Sequence, residues 1–213
     1  MIDKTPVYYD FYGEDAMNEV CGFLDEEFGG DGAGGMIAHE LVSEYVHTDV
    51  GVYESEEGIR TFATFGMGAR ETNSPLREFR RVELLLTAAP KEEDEPEINT
   101  RILCSELQHL SKFPFKENTW FGPGHTVNAS ETFRETFGYS FFFFLQYHHS
   151  LEVKRVGEVR FLLAIPIYED EREWIVSHEN GSARFAKALI AGLRDDEPIG
   201  YADVERRHVI PEA

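Results

Sequence analysis

Residues Tyr45–Ala89 read YVHTDVGVYESEEGIRTFATFGMGARETNSPLREFRRVELLLTAA, and three runs within them alternate apolar with polar side chains. In the first, Val46, Val50 and Val52 share one side of an extended chain while Tyr45, His47, Asp49 and Tyr53 share the other, the two-residue period of a half-buried strand. A turn at Glu56, Glu57 and Gly58 leads into Ile59–Phe65, rich in aromatic and β-branched residues and ending in Gly66-Met67-Gly68. Those glycines mark a place where a strand bends or lets another group approach its backbone. The third run, Phe79–Ala88, sets Val82, Leu84 and Leu86 against Arg81, Glu83 and Leu85, and reads as an interior strand. The rest of the chain has to cover this sheet.

Working outward, Met17, Val20, Cys21, Leu24 and Phe28 fall on one face of a helix over Glu14–Phe28, which Gly29-Gly30 ends. The glycine-rich stretch at residues 30–35 leaves a helix and enters strand-like sequence. A dinucleotide-binding loop needs the opposite order, so this stretch reads as a connector. A charged segment with Pro90 and Pro96 reads as an exposed turn. Ile98, Ile102, Leu103, Leu107 and Leu110 mark a second helix, expected to stop near Phe113-Pro114. Gly122-Pro123-Gly124-His125-Thr126 is a tight turn into a short extended segment. Tyr139–Tyr147 is a strand with aromatics on both faces, buried from both sides or lining a groove. Leu151–Val156 reads as a short paired strand turning at Gly157, and Val159–Tyr168 as a further strand in which Pro166 places an interruption or an edge near the end. Asp170–His178 reads as a helix, and Ser182 as the cap of another that turns Phe185, Leu189 and Leu193 inward.

The architecture expected is α+β, a central mixed, largely antiparallel sheet flanked by helices. It forms one domain over residues 1–213, with its motif-bearing core at about 36–195. Forty acidic against twenty basic residues give a net charge of −20, which repels nucleic acid and anionic membrane surfaces. Cys21 and Cys104 fit no metal or redox spacing and read as buried free thiols. Met1–Asp10 has no leader pattern and no segment is apolar enough to span a bilayer, so a cytoplasmic location is expected.

Chemistry-bearing residues are sparse. His47 and Asp49 lie two apart on a strand and point the same way, and Glu83 on a neighbouring strand could face them, a general-base geometry. With His125 added, that set is the hydrolase-like alternative. No nucleophile elbow, phosphate loop or zinc-protease helix accompanies it. His148 and His149 are adjacent on a strand, so their side chains are expected on opposite faces and unable to share one metal ion. His125, after two glycines and a proline, suits either binding or turn stabilisation. No catalytic residue, metal or cofactor is expected.

Taken together, EYVHTDV (Glu44–Val50), TFATFGMG (Thr61–Gly68), RVELLL (Arg81–Leu86), GHTV (Gly124–Val127), VRFLLAIPI (Val159–Ile167) with the acidic Glu169–Trp174, and the Ala202–Val209 tail resemble the suppressor of fused family. The resemblance implies a mixed α/β core with no established catalytic residues. In animals the similar protein is a cytoplasmic inhibitor that clamps an extended peptide of Gli-type transcription factors. Bacterial members are single-domain proteins, many proposed to be immunity proteins that neutralise toxins. Carried onto this chain, the family's peptide contacts fall near Phe62 and on Arg70, Thr72 and Asn73 of the loop Arg70–Asn73, and Gly68 stands where the family more often has serine. The reading is a protein-binding module with a protein partner, possibly a basic toxin held by occlusion. A regulatory module that adds a peptide strand near Phe62 is the further alternative.

Overall fold

Strand alternation and helical periodicity sort the chain into α1 (Glu14–Phe28), β1 (Met36–Ala38), β2 (Asp49–Glu54), β3 (Arg60–Phe65), β4 (Val82–Ala88), α2 (Glu97–Lys116), β5 (Thr126–Asn128), α3 (Glu131–Phe137), β6 (Phe141–Val153), β7 (Gly157–Ile167), α4 (Glu169–Ser177) and α5 (Gly181–Gly192). The computed structural model describes residues 12–29, 36–40, 45–55, 58–88, 97–192 and 208–211. The expected connector at 30–35, the charged turn around 89–96, Glu56 and Glu57, the first ten residues, Leu193 and most of the tail lie outside the described residues.

The strands form one sheet in the order β1-β2-β3-β4-β7-β6-β5. Every neighbouring pair is antiparallel except β4 with β7, which run parallel. The protein is thus a single α+β domain on a mixed, largely antiparallel sheet. Alternation assigns the faces as the sequence implied. Val50, Phe62, Leu84, Leu86, Phe142, Phe144 and Leu162 pack under α2 and α3. Ala63, Phe65, Leu85 and Phe161 turn the other way and meet Ala16, Val20 and Leu24 of α1. Farther along that second face, Phe143 and Ile165 pack on Trp174, Ile175, Phe185 and Leu189 of α4 and α5. The aromatic run of β6 is therefore buried from both sides rather than lining a groove. Phe121 stacks on Phe144 with centroids 4.4 Å apart, and Phe143 meets Phe185 edge-on at 5.2 Å.

Local differences from the sequence reading have physical causes. α2 continues past Pro114 to Lys116, because a proline removes its own N–H but not those that follow: Glu117 and Thr119 still donate to the carbonyls of Phe113 and Pro114. β6 runs unbroken to Val153, so Leu151–Val153 is its continuation and not a separate strand. Ser182 lies inside α5, and its hydroxyl donates to the Gly124 carbonyl at 3.0 Å instead of capping the helix. α3 was not anticipated, although Ser130 caps it by accepting from the Phe133 N–H and Gly138 ends it at a φ of 77°. Cys104 is buried, but Cys21 is half-buried, and both are free thiols. Where β6 meets β7 the register shifts between Gln146 and Ser150.

Candidate functional site

The turn after β3 is built around a buried carboxylate. Pairing of β3 with β4 ends at Ala63 opposite Leu85, and Thr64 takes over: its hydroxyl accepts from the Leu84 N–H at 2.7 Å and donates to Glu83 Oε2 at 2.7 Å. The other carboxylate oxygen, Oε1, accepts from the Gly66 and Gly68 N–H groups, each at 2.9 Å, and from the Tyr12 hydroxyl at 2.8 Å. Glu83 is fully enclosed, and burial pushes its carboxyl up to about 7 even though all four donors act to lower it. Gly66 sits at a φ of 124°, and a Cβ there would collide with the His47 carbonyl oxygen. A Cβ at Gly68 would meet the Tyr12 hydroxyl, so the phenol occupies the room that a side chain at 68 would need.

Arg81 holds the same turn from its far side. Its guanidinium donates to the carbonyls of Gly68 and Ala69 at 2.9 and 2.6 Å and pairs with Glu71 at 3.5 Å. The loop that follows is therefore exposed but braced. Arg70 lies over the Phe115 ring, 5.3 Å from its centroid, and donates to the Tyr45 carbonyl. Thr72 is buried, its N–H bonded to the Arg80 carbonyl and its hydroxyl to that of Phe79. Asn73 is exposed and reaches Asn118 through its amide, 3.4 Å from Oδ1. Between this loop and Pro114, Phe115 and Asn118 lies an open, polar cleft of about 310 Å³. Three of the residues singled out by sequence, Arg70, Thr72 and Asn73, line that one cleft.

The sequence model of the suppressor of fused protein family matches residues 44–207. The chain belongs to the suppressor of fused family. A chain in a crystal structure of a Sufu–Fu complex superposes with a TM-score of 0.59 at 12% identity, the match covering 91% of each chain. A crystal structure of Drosophila Suppressor of Fused gives 0.49 at 13% identity, over 74% of this chain and 42% of that one. No curated protein matches the chain.

In this suppressor of fused chain the other sequence candidates are dispersed. Phe62 is fully buried under α2 and offers no surface to a partner. Its strand is paired on both sides, with β2 and β4, so no strand can be added beside Phe62. His125 is half-buried with its ring edge-on to Trp120, centroids 4.4 Å apart, and its main chain pairs with Gly122 and Phe144. It is a turn residue outside the cleft.

His47 and Asp49 do meet, His47 Nε2 lying 3.2 Å from Asp49 Oδ1. Asp49, however, is nearly saturated: its carboxylate also accepts from the Glu40 N–H at 2.8 Å and contacts His39 Nδ1 at 3.0 Å. Glu40 in turn accepts from the Thr48 N–H and pairs with Lys112. This cluster joins the exit of β1 to the start of β2 and to α2. Glu83 is sealed in its own cradle, so of the expected set only His47 and Asp49 come together, and the convergence of all four of His47, Asp49, Glu83 and His125 does not occur. Sequence reasoning missed Tyr12, Thr64 and Arg81 as partners of the turn. The paired glycines were the available signal, since both leave backbone N–H groups free to converge on one acceptor.

Proposed function

We propose that this protein binds another protein through the face that carries Arg70 and Asn73, with buried Thr72 anchoring the loop between them, and that it acts as an immunity-type inhibitor which neutralises a toxin by occlusion. The observation that carries this reading is a loop both exposed and braced: Glu83 and Arg81 fix the turn beneath it, so little conformational entropy is lost when a partner docks. A net charge of −20 favours a basic partner and would steer it at high rate. The similar fold in the Sufu–Fu complex belongs to a protein–protein assembly, in keeping with a binding role. Among the described residues no helix is long and apolar enough to cross a membrane.

The test is recovery of the tagged protein from lysate of its own host at low salt, identification of what co-purifies, and reconstitution with the purified partner. A basic protein bound in stoichiometric amount, released as salt rises and inhibited in its own activity when bound, supports the reading. A partner whose binding is indifferent to salt removes electrostatic steering. A bound partner that keeps full activity removes occlusion.

A further inference from the structure

His148 and His149 sit where β6 breaks step with β7. Gln146 faces Leu162 and Ser150 faces Arg160, so Tyr147, His148 and His149 together oppose Phe161 alone. A regular strand sends neighbouring side chains to opposite faces; this bulge removes the alternation, and the two imidazole centroids lie 4.0 Å apart. The separation expected from the sequence is thereby overturned. Glu27, in the last turn of α1, meets the pair: Oε2 lies 3.0 Å from His149 Nδ1 and Oε1 accepts from the Tyr147 hydroxyl at 2.6 Å. One ligand atom from each of Glu27, His148 and His149 lies within 4.8 Å of the other two. Donors bound at about 2.0–2.1 Å to one tetrahedral ion stand roughly 3.3 Å apart, so modest side-chain rotation closes the three on a single cation.

The surroundings favour such an ion independently. The last turn of α1 holds Asp25, Glu26 and Glu27 and no basic residue, which places acidic groups at the negative end of the helix dipole, where a cation belongs. Phe23 stacks on Phe161 at 4.9 Å and lies edge-on to His149 at 6.4 Å, fixing the approach of helix to strand. Two imidazoles and a carboxylate suit borderline divalent ions, and both histidines are exposed. We propose that Glu27, His148 and His149 form a three-ligand site for a divalent cation of the zinc class, with Tyr147 orienting the carboxylate and a fourth position open to water or a partner's side chain.

The test is calorimetric titration of zinc chloride into the EDTA-stripped full chain near neutral pH, with cobalt(II) absorption as a second readout. One saturable site is expected, together with visible d–d bands of a low-coordinate cobalt centre. Glu27→Gln and His149→Gln should each weaken binding by at least about tenfold and Tyr147→Phe by about tenfold, while His208→Gln, at an exposed His–Asp pair elsewhere, should leave it unchanged. Circular dichroism checks that each variant is folded, and should Glu27→Gln not fold, His148→Gln, altered at an exposed side chain, replaces it. Absence of saturable binding up to about 1 mM zinc, or affinity unmoved in folded Glu27→Gln or His148→Gln and His149→Gln, overturns the proposal.

Discussion

The Tyr12 hydroxyl donates to Glu83 across 2.8 Å although 71 positions separate the two residues. The contact ties the entry to α1 to an interior strand, and the same oxygen receives both glycine N–H groups of the turn. Removing the acceptor strands four buried donors at once. Glu83→Leu should therefore cost more than about 4 kcal/mol, since each unsatisfied buried group costs roughly 1–3 kcal/mol. Glu83→Gln keeps an oxygen for Tyr12, Gly66 and Gly68 and presents an N–H to Thr64, whose own proton can turn to the Leu84 carbonyl 3.5 Å away. It should cost about 1 kcal/mol. Urea denaturation of the two variants beside the wild type checks the ordering, and equal losses would mean that the hydrogen bonds do not carry the effect.

The Glu83 carboxyl, ordinarily near 4.5, is pushed up to about 7 by burial. It binds its proton more tightly in the folded than in the unfolded chain. Its contribution to stability is thus complete below about 4.5 and declines as pH rises through about 7, by about 3 kcal/mol in all. The repulsion within a chain of net charge −20 runs in the same direction. The relevant measurement is therefore the wild-type stability minus that of Glu83→Gln, followed from pH 4 to 8. A difference that does not change with pH would place the carboxyl at its ordinary value in the fold.

Gly66 and Gly138 both have positive φ, at 124° and 77°, but only Gly66 lies against backbone, while nothing stands within 4 Å of a Cβ at Gly138. Gly138→Ala should cost about 1–2 kcal/mol, the left-handed penalty alone. Gly66→Ala adds a clash with the His47 carbonyl that no side chain can relieve, and should lose more than about 3 kcal/mol. Thermal denaturation of both variants separates conformational preference from close approach.

Sheet faces were legible in the sequence because alternation is a local property: Val82, Leu84 and Leu86 opposed to Glu83 and Leu85 is already visible in five residues. The helices with long apolar stripes were legible for the same reason. α3 was not, since seven residues carry only Phe133 and Phe137 as a periodic pair. The cleft was reached in part, through Arg70, Thr72 and Asn73, but its opposite wall, Pro114, Phe115 and Asn118, comes from the end of α2 and the turn beyond it, a long-range juxtaposition with no local signature. Glu83 read as a polar-face residue open to His47 because alternation gives direction and not depth. The bulge at Tyr147–His149 defeats alternation itself, which is why the two histidines read as separated.

Arg81 braces the turn through charged hydrogen bonds to the carbonyls of Gly68 and Ala69. Such bonds contribute about 1.5–3 kcal/mol each. In Arg81→Gln the turn should open locally more often while β4 stays paired. Amide exchange at Gly68, Ala69 and Arg70 should accelerate by about tenfold or more, with exchange at Leu84–Leu86 changing far less. Uniform acceleration across both segments would mean that Arg81 supports global stability instead of the loop.

If the braced loop is the docking surface, binding and stability should separate by residue. Arg70 and Asn73 are exposed, so Arg70→Glu with Asn73→Ala should lower stability by only about 1–2 kcal/mol, from the loss of the Arg70–Phe115 stack and of the exposed hydrogen bonds to the Tyr45 carbonyl and Asn118. The same double variant should weaken a captured partner by tenfold or more, because the side-chain contacts of Arg70 and Asn73 are lost within the interface, while two further negative charges on a chain already at −20 change its long-range attraction for a basic partner little. Phe62→Ala should do the reverse: it empties a fully buried site at a cost of about 3–5 kcal/mol, while affinity measured on the folded fraction stays near wild type. Surface plasmon resonance on the purified partner, paired with calorimetry of each variant, distinguishes the two. Retained affinity in Arg70→Glu with Asn73→Ala would remove this loop from the interface and direct attention to the remaining surface of the sheet.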